Sequence, residues 1–329
     1  MKYLFLVAVL SVSCVSFDSK KDIKPPKITE KMLLKEALAG GIEFGGTTLD
    51  EVKKLIKKRK EWRKAEEYLF KILMTESDEF PIPSLINTMD LFRTAQSKRS
   101  HLVFRKYVHE RAIIKRQVGW QLAADVPSEM MGREIETLLT ETIADDELNQ
   151  LFIPAMADAV ASNRLIDSYT IIREGLFAVD DIAFARAMIA LNPLRASEDF
   201  LEYLGKAPVE ELRQLTLKSV DVYTCTLILE HFQAYPPAVS NPRMETLFLY
   251  TISRNNALAE MARDVLERYL PKNSEAFAFT LAQLPSWMQI AFIERSSKRL
   301  TPVISLFLDD LKKVSADKDV VDEISGLKL

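Results

Sequence analysis

Apolar residues recur every three or four positions along most of this chain, and no stretch sustains the alternation of a half-buried strand. The first such run, Glu30 to Ala39, stops at Gly40-Gly41. A second starts at Thr48, with Glu51 three residues on in the spacing of a capping box. Val52, Leu55, Ile56, Trp62, Ala65, Leu69, Ile72 and Leu73 then form one stripe of a long amphipathic helix. Its opposite face carries Lys53, Lys54, Lys57, Lys58, Lys60, Arg63 and Lys64, a candidate binding face. Pro81 and Pro83 end that unit, and further helices are predicted from about Ser84 to Gln96 and from His101 to Ala124, the latter closed by Asp125-Val126-Pro127.

Beyond Pro127 the runs shorten and become regular. Helix-start residues fall at Ser128, Asp145, Asp180, Ser197, Pro208, Ser240, Asn256, Ser274, Ser286 and Pro302, and Pro154 should kink the helix around it. A weak repeat runs through this part: Leu201-Glu202-Tyr203-Leu204, Leu229-Glu230-His231-Phe232, Leu266-Glu267-Arg268-Tyr269, then Ile293-Glu294. Its members fall in every second predicted helix, as in an α-solenoid. The segment Asn255 to Leu266 resembles the second helix of a HEAT-type repeat. The expected fold is therefore all-α, an α-solenoid of HEAT-like antiparallel helix pairs; an irregular helical bundle is the alternative. Residues 28–124 form a basic long-helix region and residues 125–329 a helical repeat domain.

Composition narrows the picture. The 329 residues are 48% hydrophobic and 28% charged, proportions of a folded protein with a sizeable core. Nine glycines are few for a β-sandwich or for an α/β enzyme with phosphate loops. The net charge of −3 conceals a basic stretch, residues 14–124 at +8, and an acidic one, residues 125–211 at −12. Solvated helix faces or two differently charged surfaces both follow from that.

The N-terminus has its own pattern. Lys2 precedes an apolar run from Tyr3 to Leu10, small residues follow, and Cys14 comes next. The run is far shorter than the roughly 20 residues of a spanning helix and reads as a secretory signal. Polar, proline-broken residues 14–27 then form a flexible tether. These first 14 residues resemble a bacterial lipoprotein signal, with Ser11 where leucine is usual, a looser pattern similar to spirochaetal lipoboxes. The resemblance implies cleavage after Ser13 (residues 1–13 being the signal peptide), lipidation of Cys14 and anchoring by acyl chains such as palmitate. Val15 after Cys14 points slightly toward the outer membrane. An ordinary signal ending near Ser13 or Ser16, with Cys14 incidental, is the rival reading.

Catalytic patterns are sparse. His101 and His109 lie two helical turns apart, too far to chelate one ion, and neither an H-E-x-x-H nor a paired-cysteine pattern occurs, so no metal and no cofactor is expected. Cys225 falls in an apolar run and reads as a core thiol; there is no G-x-S-x-G elbow. Asp145-Asp146 and Asp180-Asp181 read as caps. The glycine-rich Gly40 to Thr48 lacks the Lys-Ser/Thr of a phosphate loop and reads as a hinge. Trp62, Tyr68, Phe277, Phe279, Trp287 and Phe292 fall on apolar stripes and are expected in the core.

These observations predict a membrane-anchored exported lipoprotein acting as a non-catalytic protein-interaction scaffold in the cell envelope. Its contact areas would be the Lys53–Lys64 face and the acidic Asp145–Asp181 region. Whether it is an enzyme stays open: an envelope hydrolase using carboxylates in a helical groove is the alternative. Expected partners are the membrane, through lipid on Cys14, and an envelope protein; nucleic acid is not among them. The body would lie in the periplasm or at the cell surface.

Overall fold

A computed structural model describes residues 46–58, 63–76, 80–143, 152–213, 217–238 and 245–327. Those residues form seventeen α-helices and a single 3₁₀ turn, and among them there is no strand. Odd-numbered helices are α1 (Gly46–Lys58), α3 (Ile82–Thr94), α5 (Ile113–Asp125), α7 (Ile153–Ser162), α9 (Ile182–Leu191), α11 (Val209–Arg213), α13 (Glu245–Thr251), α15 (Ser286–Ser297) and α17 (Lys318–Gly326). Even-numbered helices are α2 (Arg63–Thr75), α4 (Ser100–Val108), α6 (Glu129–Ile143), α8 (Tyr169–Val179), α10 (Pro193–Leu204), α12 (Val222–Ala234), α14 (Asn256–Ala282) and α16 (Pro302–Val314).

The numbering separates two layers. Packing runs α1–α3–α5–α7–α9 and α11–α13–α15–α17 on one side, and α2–α4–α6–α8 and α10–α12–α14–α16 on the other. Where the five-residue α11 is too short to cover its neighbours, α9 packs directly on α12. Within a layer the helices run parallel: Tyr169 and Arg173 of α8 meet Asp199 and Glu202 of α10, and further along Lys206 Nζ donates to the Phe177 carbonyl. Side-chain hydrogen bonds between neighbouring turns of the stack, such as Tyr169–Asp199 and Ser197–His231, connect residues 30 and 34 positions apart, about one structural unit. That is the signature of a solenoid, in which each helix pair touches only its neighbours. The fold is an all-α solenoid of HEAT-like helix pairs with one continuous apolar core, which includes buried residues on both sides of residue 125.

The Leu-Glu repeat marks the even layer. Leu201, Leu229 and Leu266 are buried on α10, α12 and α14, three consecutive even helices. The fourth member, Ile293-Glu294, departs from this rule and sits in α15 of the odd layer.

Several boundaries differ from the sequence expectation. His101 to Ala124 is two helices, broken between His109 and Ala112, and the break folds Trp120 back to 5.1 Å from Phe104. A side chain at Gly119 would put its Cβ 3.0 Å from that of Tyr107, so glycine sets the close approach of α5 to α4. The stripe from Thr48 to Leu73 appears as α1 and α2 on either side of residues 59–62, which lie outside the described residues; Thr48 is inside α1, which starts at Gly46. Pro154 kinks nothing: it occupies the first turn of α7, where its missing N–H costs no hydrogen bond. Pro271 is the proline within a helix, and α14 kinks just after it, at Asn273 (φ −141°, ψ 20°). Asp180 ends α8 in the left-handed region (φ 58°), and Asp181 is the residue whose side chain caps α9. Ser197 lies inside α10; Asn192 caps that helix instead. Phe279 is exposed, whereas Phe277 and Phe292 are buried, and Trp287 lies half-buried beneath the Arg213 guanidinium, 3.5 Å from its ring centre.

Candidate functional site

Of the predicted site residues, Ser13 and Cys14 lie outside the described residues, as do Lys60 and the cap candidates Asp145 and Asp146. Lys58, Arg63 and Lys64 occupy helix positions at the α1 end and α2 start without described side chains. Lys54 and Lys57 are exposed on α1. Lys53 is not a free cation on that face: its ammonium sits 2.5 Å from Asp90 on α3, tying the first two odd helices together.

Three polar clusters of the interior test whether chemistry hides in the stack. The first pairs a serine with a histidine. Asn192 and Asp221 start α10 and α12 in a register that places Ser197 Oγ 3.0 Å from His231 Nε2. Pro193 O, 2.9 Å from the same nitrogen, only accepts, so Nε2 carries the ring proton. The serine hydroxyl in turn donates to the Tyr235 carbonyl at 2.6 Å. A nucleophilic serine needs an unprotonated nitrogen to receive its proton, and here both protons point the wrong way. The pair is a clamp between α10 and α12, packed against Phe200 and stacked on Tyr235. Burial holds the His231 pKa below its ordinary value, keeping the ring neutral. Nothing in the sequence could have joined these residues, since they stand 34 positions apart.

In the second cluster Cys225 is fully buried, with Sγ 3.6 Å from the Tyr250 hydroxyl, which donates to Leu204 O. Burial pushes the thiol up to about 12, so it stays protonated and unreactive, as its apolar run predicted. Nearby Asp180 is raised above the usual carboxylate range, chiefly by desolvation, with the Lys206 ammonium 3.9 Å away working against that shift.

The third cluster is ionic. After α2, the carboxylate of Glu76 is fully buried between Lys106 of α4 and Lys115 of α5, each at 3.3 Å. Lys106 also donates to Leu73 O, and Tyr107 OH reaches the same carbonyl. These contacts join three helices of both layers. Glu76 and the partly exposed Asp180 belong to turns three helix pairs apart, so they do not form an acid–base couple.

His101 and His109 flank Glu134, whose carboxyl is held below its usual range first by the hydrogen bond from Arg105 and then, more weakly, by both histidines. Among the described residues no group of three or more His, Cys, Asp or Glu side chains is placed to hold a metal ion.

A groove of about 240 Å³ opens between two odd helices. Gln117, Gln121 and Asp125 of α5 face Pro154, Ala155 and Asp158 of α7 across it. Asp125 is anchored by Arg93 at 2.6 Å. Amides and carboxylates around small apolar residues suit recognition of a polypeptide's hydrogen-bonding groups. Sequence reasoning missed this groove because its walls come from helices it had assigned to separate regions.

No protein-family model matches the chain. No curated protein matches it either. Among solved structures, the chain is similar to the complex of CpcE and CpcF of phycocyanin lyase from Nostoc sp., at 12% identity, covering 91% of this chain and 100% of that one with a TM-score of 0.41. Likeness at that level carries no argument about function, and the helical stack rests on its own contacts.

Proposed function

We propose that this chain is an exported lipoprotein, held to a membrane of the cell envelope through Cys14, whose helical stack is a non-catalytic scaffold for another protein. One observation carries the scaffold part. The interior polar groups that sequence or burial singles out, Ser197, His231, Cys225 and Glu76, are engaged in joining helices, while the α5–α7 groove is left open. Solenoids bind polypeptides along such faces. The lipid anchor rests on the Cys14 signal pattern and the tether that follows it; among the described residues no helix is long and apolar enough to cross a membrane.

Two measurements separate these parts. Cys14→Ser should move the protein from the membrane to the soluble fraction, and full retention would remove the anchor reading. Crosslinking in cells should recover a stoichiometric protein, and filling the groove with Gln121→Arg and Asp158→Arg should lower its recovery by about tenfold. Unchanged recovery would remove the groove from the interface. If the same groove instead served hydrolysis by Asp125 and Asp158, Asp158→Asn would abolish turnover of an envelope substrate without changing any capture.

A further inference from the structure

The walls of the α5–α7 groove run side by side. Asn163, just past α7, pins the C-terminal ends together: its amide donates to the Ala123 carbonyl at 2.9 Å, and its oxygen accepts from Ser128 N at 3.0 Å. Gln117, Gln121 and Asp125 follow one another at intervals of four residues along α5, and Pro154 and Asp158 do the same along α7. Four helical residues advance about 6 Å. Alternate residues of an extended chain advance about 6.6 Å, so a chain laid along α5 meets a polar side chain at every second residue. Gln117 and Gln121 are exposed, and among the described residues their amides have no hydrogen-bond partner. Each amide carries both donors and an acceptor, so it can serve the N–H and C=O of one backbone residue whatever that residue's side chain. Opposite them, Pro154 and Ala155 are short and leave room for that backbone.

The lining of the groove has two carboxylates and no cation. Asp125 is already answered by Arg93. Asp158 is exposed and, among the described residues, has no ion pair. The basic side chains of α5 are turned elsewhere: Lys115 is buried at Glu76, and Arg116 donates to the Glu110 carbonyl at 2.6 Å. Arg186, exposed on the next odd helix α9, is not part of the lining and makes no ion pair with Asp158. One negative charge is therefore left unmatched inside a groove, whose low-dielectric walls strengthen its field.

We propose that the α5–α7 groove binds an extended segment of another polypeptide, with its backbone on Gln117 and Gln121 and one lysine or arginine side chain on Asp158. The inference rests on the reading of this groove as a protein interface and adds the partner's conformation and charge. A helical segment would not serve, because its own hydrogen bonds occupy the groups that the two amides need. Successive side chains of an extended segment point to opposite sides, so its basic residue turns toward α7 while its backbone stays on α5. The amides give affinity without reading sequence, and the carboxylate supplies the selectivity.

The test immobilises the full chain bearing Cys14→Ser and selects from a displayed library of short random linear peptides. Enriched peptides should share a lysine or arginine, and selection on Asp158→Lys should favour aspartate or glutamate in its place. For one enriched peptide, followed by fluorescence anisotropy, replacing its basic residue by glutamine should lower affinity about tenfold, and Asp158→Asn should do the same. The two changes together should cost little more than either alone, because both remove one contact. Gln117→Leu with Gln121→Leu should weaken the basic and the glutamine peptide by the same factor. Glu198→Gln, which removes an exposed carboxylate on α10, should leave binding unchanged. Peptides enriched without a basic residue, no enrichment at all, or an affinity indifferent to Asp158→Asn would overturn the proposal. If in-cell capture were still lost with Gln121→Arg and Asp158→Arg, the reading of the groove as an interface would stand without it. Capture unchanged by that pair would overturn both.

Discussion

Two junctions of this solenoid do the same mechanical task with opposite chemistry. Toward the C-terminal end, Phe248 of α13 lies 5.9 Å from Phe277 of α14, 5.6 Å from Phe292 of α15 and 6.0 Å from Phe307 of α16, so one ring ties four helices of both layers. Toward the N-terminal end, α2, α4 and α5 meet around the buried Glu76 carboxylate and its two lysines. An aromatic junction is held by area and by edge-to-face geometry, spread over several partners. A charged one is held by few contacts, and each ion has already given up its hydration. The aromatic junction should therefore fail in proportion to what is removed. The ionic one should fail whenever a single partner is lost, yet survive loss of the whole set.

The largest effect is expected at the ring. Phe248→Ala removes a fully buried side chain from among three others and should cost about 4 kcal/mol, read as a shift in urea midpoint at unchanged slope. A loss under about 1 kcal/mol would mean that the four helices are held elsewhere. At the ionic junction, Lys115→Met leaves Glu76 buried with only the partly exposed Lys106, and should cost about 3 kcal/mol. Adding Glu76→Leu should recover most of that loss, because two apolar side chains can fill the space of a buried pair. A double variant no better than the single one would show that the carboxylate, and not its pairing, holds the junction.

How far the sequence reaches follows from the same contrast. Burial periodicity survives without tertiary knowledge, so the two-layer helical stack and the even-layer positions of Leu201, Leu229 and Leu266 were readable. Polar residues are different, because their role depends on partners about one unit away. Lys53 read as part of a solvated basic face until Asp90, 37 positions later, was placed against it. Ser197 read as a cap and is a clamp on His231. Asp180 read as a helix start and is a helix end, because a non-glycine residue at φ 58° leaves no composition signal. Leu194 and Tyr223, both exposed, look like core residues until the caps Asn192 and Asp221 set the register that turns them outward.

The smallest effect separates the clamp from both junctions, because it is conditional on pH. His231 is held neutral by burial, so its folded pKa lies below the unfolded value of about 6.5. At pH above that value the ring is neutral in both states and the clamp contributes in full. As pH falls below about 6.5 the unfolded chain takes up a proton that the folded ring resists, and stability declines toward the folded pKa. Chemical denaturation between about pH 8 and about pH 5 should therefore show a steeper decline for the wild type than for His231→Gln, which has no group to titrate there. Phe248→Ala should not change that slope, since it touches neither the imidazole nor any other titrating group. Parallel slopes for the wild type and His231→Gln would place the acid sensitivity in the carboxylates, and the α10–α12 clamp would then be indifferent to the charge of its histidine.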